Sequence, residues 1–334
     1  MTGISGFIAS ALADRLLADG YQVAGLVRQS TRDNEALKRL RGKVTMYQGD
    51  LRYYWAIKKA LDDFKPDYIF HLGAITPVSY SFEHPMEVTE ANYMGVVNLV
   101  EAAKIAVPQL KRFIFSGSME EYGFQPEHFK IKNRKEGEII ELAPFSEDRI
   151  LKPACPYAVA KVAAEKFIQY SHFAYGFPGV IFRQTNAYGR KENDYFVVEA
   201  LITKMLRNPE TIDVGRKEPI RNFIHIDDLV EAWMVMMKAD DKVNGEVFNT
   251  GPANGVTIYE LASQIANKLN WQGKINWDTK EIRPGEILYL NSSYTKIADF
   301  TGWRPKITLD EGLDRIITFW KDKYSRMTYN NPRL

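Results

Sequence analysis

Cysteine is nearly absent from this chain: Cys155 stands alone in 334 residues. One thiol cannot close an intrachain disulfide or build a cysteine-rich zinc site, and it fits a reducing compartment. Net charge is also close to absent, with 44 Lys and Arg against 42 Asp and Glu. A balance of +2 gives no global pull toward nucleic acid or an anionic membrane. No apolar run approaches the ~20 residues of a membrane span. The N-terminus has no basic region and carries Asp14 within its first helical pattern, unlike a signal peptide. The five histidines (71, 84, 128, 172, 225) show no metal-ligand spacing, so no metal is expected. Repeats and low-complexity tracts are missing too. What remains is a globular composition, 45% apolar and 26% charged, with the cytoplasm as the expected location.

At roughly 100–200 residues per domain, the length suits one large α/β unit with an appendage, or two domains. The first half alternates short apolar runs with helical patterns, which implies βαβ units and a Rossmann-like, doubly wound parallel sheet. Helices are predicted over 6–19, 54–64, 86–106 and 157–174. Strands are predicted over 21–27, 43–48, 67–72, 112–115 and 180–182. The polar run 130–136 reads as a solvated loop. Beyond about residue 186 the alternation weakens to short strands (212–214, 247–250, 274–277) among helices (196–207, 228–238, 258–269, 310–323). The expected division is a dinucleotide-binding domain over 1–185, with 227–250 returning to it, and a smaller mixed α/β substrate lobe over 186–334.

The chain opens with glycines at positions 3 and 6 and alanine at position 9, running straight into a helix. Small residues here let a pyrophosphate approach the N–H groups at the helix N-terminus. Gly3, Ser5, Gly6, Phe7 and Ile8 are therefore the candidate phosphate cradle. Such a turn should follow a central strand, yet only two residues precede it. The first strand is expected to be truncated, with an upstream start favoured over a clipped chain or another segment filling the slot. At the end of the second strand, Arg28 and Arg32 stand where an acidic residue would bind the ribose of NAD, and they suit the 2′-phosphate of NADP. Asp50 and Leu51 are placed for the adenine end. Leu72, Gly73 and Ala74 close the third strand.

Tyr157 and Lys161 are spaced i, i+4 and share a helix face. A lysine ammonium, with a cationic nicotinamide, is expected to lower the Tyr157 pKa toward neutrality. Ser118 follows a strand and can bond the same substrate hydroxyl, while Asn92 lies in the long helix before it. Glu121 reads as solvated. Cys155 reads as small filler beside the site. Asp227 or Asp228 is expected to cap the helix that starts there.

The motifs TGISGFIA (2–9), GDL (49–51), HLGA (71–74), SFEHP (81–85), SGSMEEYG (116–123), PYAVAK (156–161), RQTNAYG (183–189), RNFIHIDD (221–228) and RPGE (283–286) run in order over nearly the whole chain. Together they resemble the extended short-chain dehydrogenase/reductase family, specifically its nucleotide-sugar epimerases and dehydratases. The resemblance implies that Ser118, Tyr157 and Lys161 are catalytic. It also implies that Glu120, where 4,6-dehydratases carry glutamate, is the base at the sugar's fifth carbon. Met119 departs from the aspartate of the dTDP-glucose type and the serine of the GDP-mannose type. The Ser-x-Glu pattern, Arg28 and the SFEHP segment together resemble the GDP-mannose type more.

For the substrate the resemblance points to Ser81, Asn186, Arg221 and Arg283, with Arg216 a weaker candidate. It implies an NADP cofactor, with NAD open. GDP-mannose is the favoured substrate, with UDP- and dTDP-sugars open. A homodimer is implied, with a tetramer open. A UDP-sugar 4-epimerase is the runner-up, followed by a 4-keto-sugar reductase and a non-catalytic nucleotide-binding relative.

Overall fold

The computed structural model describes residues 1–28, 31, 33–125, 143–191, 193–207, 209–279 and 284–330. The expected loop at 130–136, Arg32 and Arg283 lie outside the described residues.

The first half is built as the hydrophobic pattern dictates. Helix α1 (Phe7–Ala18) buries Leu12 and Leu16 and leads into β1 (Ala24–Val27). A short α2 (Glu35–Leu40), capped by the Asn34 side chain, precedes β2 (Thr45–Gln48). Helix α3 (Tyr54–Phe64) and β3 (Tyr68–His71) follow. The long helix expected at 86–106 is interrupted. After α4 (Val78–Glu83) and α5 (Pro85–Thr89), the turn Glu90–Met94 is π-helical, and α6 (Gly95–Ala106) resumes from it. Strand β4 (Arg112–Ser116), α7 (Pro156–Tyr175) and β5 (Gly179–Arg183) complete this half.

In the second half come β6 (Asn186–Tyr188), α8 (Val197–Leu206), β7 (Thr211–Asp213), β8 (Ile220–Arg221), β9 (Phe223–His225), α9 (Ile226–Lys238) and β10 (Val247–Asn249). Then follow β11 (Val256–Thr257), α10 (Ile258–Leu269), β12 (Lys274–Asn276), β13 (Tyr289–Leu290), α11 (Thr295–Thr301) and α12 (Leu309–Asn330).

The main sheet is parallel. Strands β3, β4, β5 and β10 pair in that spatial order, and β1 pairs with β2. Thr2 bridges to Leu26 on one side and to His71 on the other, so it holds the central slot between β1 and β3. The Thr2 N–H donates to Phe70 O at 3.0 Å, and the Leu26 N–H donates to Met1 O at 2.9 Å. Beside these two residues a cavity of about 470 Å³ is lined by Val23, Ala24, Tyr68, Ile69 and Phe70, among others.

Trp233 of α9 is fully buried against the sheet, 6.0 Å from Phe70 and edge-on to Phe182 at 5.2 Å. Its indole N–H donates to Gln184 Oε1 at 3.1 Å, satisfying the polar edge of a large apolar ring. The second lobe has its own core, in which Leu201, Ile202, Leu261, Ile265, Leu313 and Trp320 of α8, α10 and α12 pack together. Among the described residues no helix is long and apolar enough to cross a membrane.

Candidate active site

One cleft of about 820 Å³ runs over the C-terminal ends of the main-sheet strands. That is where doubly wound sheets present ligand sites. Gly3, Ser5, Gly6, Phe7, Ile8, Arg28, Asp50, Leu51, Leu72, Gly73, Ala74, Ser118, Glu120, Tyr157 and Asn186 all line it.

At its floor Gly3 has φ +67°, and a Cβ there would sit 2.7 Å from the Gly73 Cα. The turn and the end of β3 therefore approach as closely as backbones can. Gly6 caps α1 with no side-chain bond, and the first turn of α1 holds no acidic residue. Positive helix-end charge is thus left facing the cleft. Arg52, which the sequence reading missed, grips Asp50 with two bonds of 3.0 and 2.8 Å and holds its carboxyl below the usual range.

Tyr157 and Lys161 sit in the first two turns of α7, which Cys155 caps through its Sγ. Ser118 begins a single 3-10 turn, Met119–Tyr122, directly after β4. Its oxygen accepts the Glu120 N–H at 3.2 Å, and its side chain bonds the Tyr157 hydroxyl. Lys161 is buried, donates to Ser116 O at 2.6 Å and lies 4.7 Å above the Phe115 ring. Burial brings its pKa down to about 8.

The expected lowering of Tyr157 is not what the chain's own groups produce. Burial raises this phenol well above its ordinary value, against the pull of Ser118, and the Glu121, Glu120 and Cys155 charges add to the rise.

Two further expectations are corrected. Glu121 is not solvated but fully buried beneath the site. Helix α9 is capped by neither aspartate. His225 Nδ1 accepts the Asp227 N–H at 3.3 Å, while Asp228 Oδ2 accepts the backbone N–H groups of Lys306 and Ile307.

The remaining candidates lie outside the cleft lining. Asn92, turned inward by the π-helical turn, bonds both backbone polar groups of Ile75. Ser81 is fully buried and donates to Val78 O at 2.7 Å. Arg221 donates to the carbonyls of Ile220 and Ile287, and Arg216 pairs with Glu218 at 3.4 Å.

The sequence reading also missed the ion pair under the site. Arg183 of β5 grips Glu165 of α7 with two bonds of 2.8 and 2.9 Å and donates to the Tyr122 hydroxyl at 3.1 Å. A motif RQTNAYG with an arginine ending a buried strand was the available signal, because such a cation must find a carboxylate.

A tyrosine, a buried lysine, a serine and a glutamate thus lie beside a glycine turn that opens a helix. The profile of the family described as GDP-mannose 4,6 dehydratase matches residues 1–316. The chain belongs to that family. Within it, chemistries diverge among similar proteins. The dTDP-D-glucose 4,6-dehydratase of Bos taurus is 29% identical over 97% of this chain and 88% of its own. The UDP-glucose 4-epimerase of Thermotoga maritima, solved with UDP-glucose, superposes with a TM-score of 0.84 at 27% identity, covering 97% of this chain and 98% of that one. The UDP-glucose 4-epimerase of Thermus thermophilus, solved with NAD, gives 0.82 at 25% identity, covering 96% and 97%. The GDP-mannose dehydratase family is thus shared by this chain, and its enzymes are nucleotide-sugar dehydratases and epimerases.

Proposed function

We propose that this chain is an NADP-dependent nucleotide-sugar 4,6-dehydratase acting on GDP-mannose. The observation that carries the reading is that Glu120 and Tyr157 enter one cleft from two elements, joined through Ser118. The cradle at Gly3 would be filled by any Cβ, which fits a backbone made to approach a ligand. The solved relative with NAD supports a nicotinamide dinucleotide there. Arg28 supports NADP over NAD, since a guanidinium suits a 2′-phosphate.

When bound, the dinucleotide supplies a hydride acceptor that later returns the hydride. Tyr157, bonded to Ser118, takes the proton from the sugar's C4 hydroxyl. Lys161 stands behind it as a buried cation. With a ketone at C4 the C5 proton is acidic, and Glu120 removes it as general base. The hydroxyl leaving C6 needs a proton, and Glu120 gives it the one it took, so that water departs; as the hydride returns to C6, C5 takes a solvent-exchanged proton through Glu120, balanced by the one that Tyr157 removed from the C4 hydroxyl. Met119 cannot supply it, because its sulfur only accepts, taking the Thr185 hydroxyl at 3.1 Å.

Asn186 lines the cleft and is the candidate for the diphosphate, with Arg221, Arg216 and Arg283 kept as candidate cations from the sequence alone. Residues 1–185 with 227–250 would form the cofactor side. A homodimer through α6 and α7 is supported by exposed Ile105, Val159 and Phe173.

A proton NMR time course with NADP⁺ and GDP-mannose tests the reading, with UDP-glucose and dTDP-glucose in parallel tubes. A new 6-deoxy methyl doublet in the GDP-mannose tube is expected. A doublet only from dTDP-glucose keeps the dehydratase and changes its substrate. The second reading, a UDP-sugar 4-epimerase, is favoured by Met119 and by the similarity to epimerases. It predicts UDP-galactose signals and no doublet in any tube.

A further inference from the structure

Glu121 is the buried group that the mechanism above does not use. It comes from the same 3-10 turn as Ser118 and Glu120, but its side chain points down, away from the cleft, and is completely buried. Oε1 accepts the Ser118 N–H at 2.7 Å. Oε2 receives no donor and lies 3.8 Å from the Arg183 Nε, which is already committed to Glu165 at 2.8 Å. The Glu121 carboxyl is also within reach of the Glu165 carboxyl. Gly117 makes the seat: a Cβ there would stand 2.7 Å from Glu121 Oε1 and 2.8 Å from Phe182 O.

Arg183 and the more exposed Lys166 both pair with Glu165, at 2.8 and 2.9 Å, which leaves the buried Glu121 carboxyl with no cation at hydrogen-bonding distance among the described residues. A proton on Oε2 removes its charge and supplies the donor that the Glu121–Glu165 contact lacks.

We propose that Glu121 is a positioning residue that works as a neutral acid. It accepts the Ser118 N–H with one oxygen and donates a proton to Glu165 with the other, tying the serine's turn to the Arg183–Glu165 pair. The neutral form matters to the chemistry above it. Tyr157 and Lys161 both feel the charge of Glu121, and an ionised Glu121 opposes phenolate at Tyr157. The other charged groups around it are Glu165 and Arg183, with Lys166 on the far side of Glu165 and Glu120 across the turn. Burial and the Glu165 charge both push the Glu121 pKa upward. The inference rests on Tyr157 as the proton carrier and is indifferent to which sugar is bound.

Glu121→Gln keeps an acceptor and a donor in the same places, whereas Glu121→Leu keeps neither. The first measurement is the infrared difference between wild type and Glu121→Gln at neutral pH, without substrate. It should show the carbonyl stretch of a protonated carboxylic acid in the wild type alone. The second is kcat against pH on whichever of the three sugar nucleotides above turns over.

Glu121→Gln should hold kcat within about threefold, while Glu121→Leu should lose about tenfold or more with KM little changed. The wild type should also lose activity at alkaline pH more steeply than Glu121→Gln. A purely structural role would leave the two alkaline limbs identical. A missing acid band, or a Gln variant as impaired as the Leu variant, overturns the proposal. The acid band with no turnover on any sugar overturns the functional reading and leaves Glu121 as a neutral acid.

Discussion

Asn92 clamps Ile75 at both of its backbone polar groups: the Ile75 N–H donates to Asn92 Oδ1 at 2.8 Å, and Asn92 Nδ2 donates to Ile75 O at 2.9 Å. The π-helical turn at Glu90–Met94 places that amide there, and a wider turn within a helix often marks such a site. Ile75 lines the cleft just beyond Gly73 and Ala74, so the clamp sets the wall of the candidate cofactor site. Asn92→Leu should cost about 1–3 kcal/mol in urea unfolding, because the buried amide is lost and two partly buried backbone groups lose their partner. It should also weaken NADP⁺ binding about tenfold by fluorescence titration. Asn92→Asp keeps the acceptor alone and should fall between.

Gly3 and Gly20 share a positive φ but not a neighbourhood. Gly20, at φ +83°, has open space where a Cβ would go, whereas Gly3 faces the Gly73 backbone. Gly20→Ala should therefore cost only the left-handed strain, about 1–2 kcal/mol. Gly3→Ala should cost more and abolish NADP⁺ binding. Paired thermal melts and titrations separate strain from clash.

His71 titrates in the acid range because burial, Lys161 and the N-terminal charge push its pKa down to about 3. Its imidazole stays neutral in the fold and lies 2.7 Å from Thr2 Oγ1, which itself accepts the Gly73 N–H. A depressed folded pKa means that its contribution is present above the unfolded value near 6.5 and is lost as pH falls toward 3. Stability by urea should drop over that window, and the drop should be smaller in His71→Gln.

Glu120→Gln separates the two leading chemistries. For a dehydratase, oxidation at C4 should survive while solvent deuterium no longer enters C5, with kcat down about 10²–10⁴-fold. Unchanged deuterium incorporation removes Glu120 from the reaction.

Much of this was legible in the residues. Short continuous apolar runs locate β1, β3 and β5, of which β3 and β5 are buried on both faces, and a 3.6-residue period locates α1 and α7. The glycine turn and the Tyr157–Lys161 spacing place the cleft, since both depend on local geometry. What escaped depends on contacts distant in sequence. The π-helical turn is invisible because 86–106 is periodic throughout, and the partner its Asn92 reaches, the Ile75 backbone, lies seventeen residues away. Glu121 looked solvated because a lone carboxylate normally is. Its burial depends on Arg183, sixty-two residues later in the chain, and on the missing side chain at Gly117. The Tyr157 phenol is held high for a similar reason, since among the chain's own groups burial outweighs every neighbour, and the nicotinamide part of the expectation has no counterpart among them.

The cleft has two walls: Arg28 and Asp50 line it beside the ends of β1 and β2, and Leu72 and Gly73 beside the end of β3. A ligand that fills it touches both, and by linkage adds its binding free energy to the form in which they stand together. Amide exchange at those strand ends should therefore slow on adding the dinucleotide. The ligand becomes a cross-brace, and occupancy and mechanical integrity of the sheet rise together.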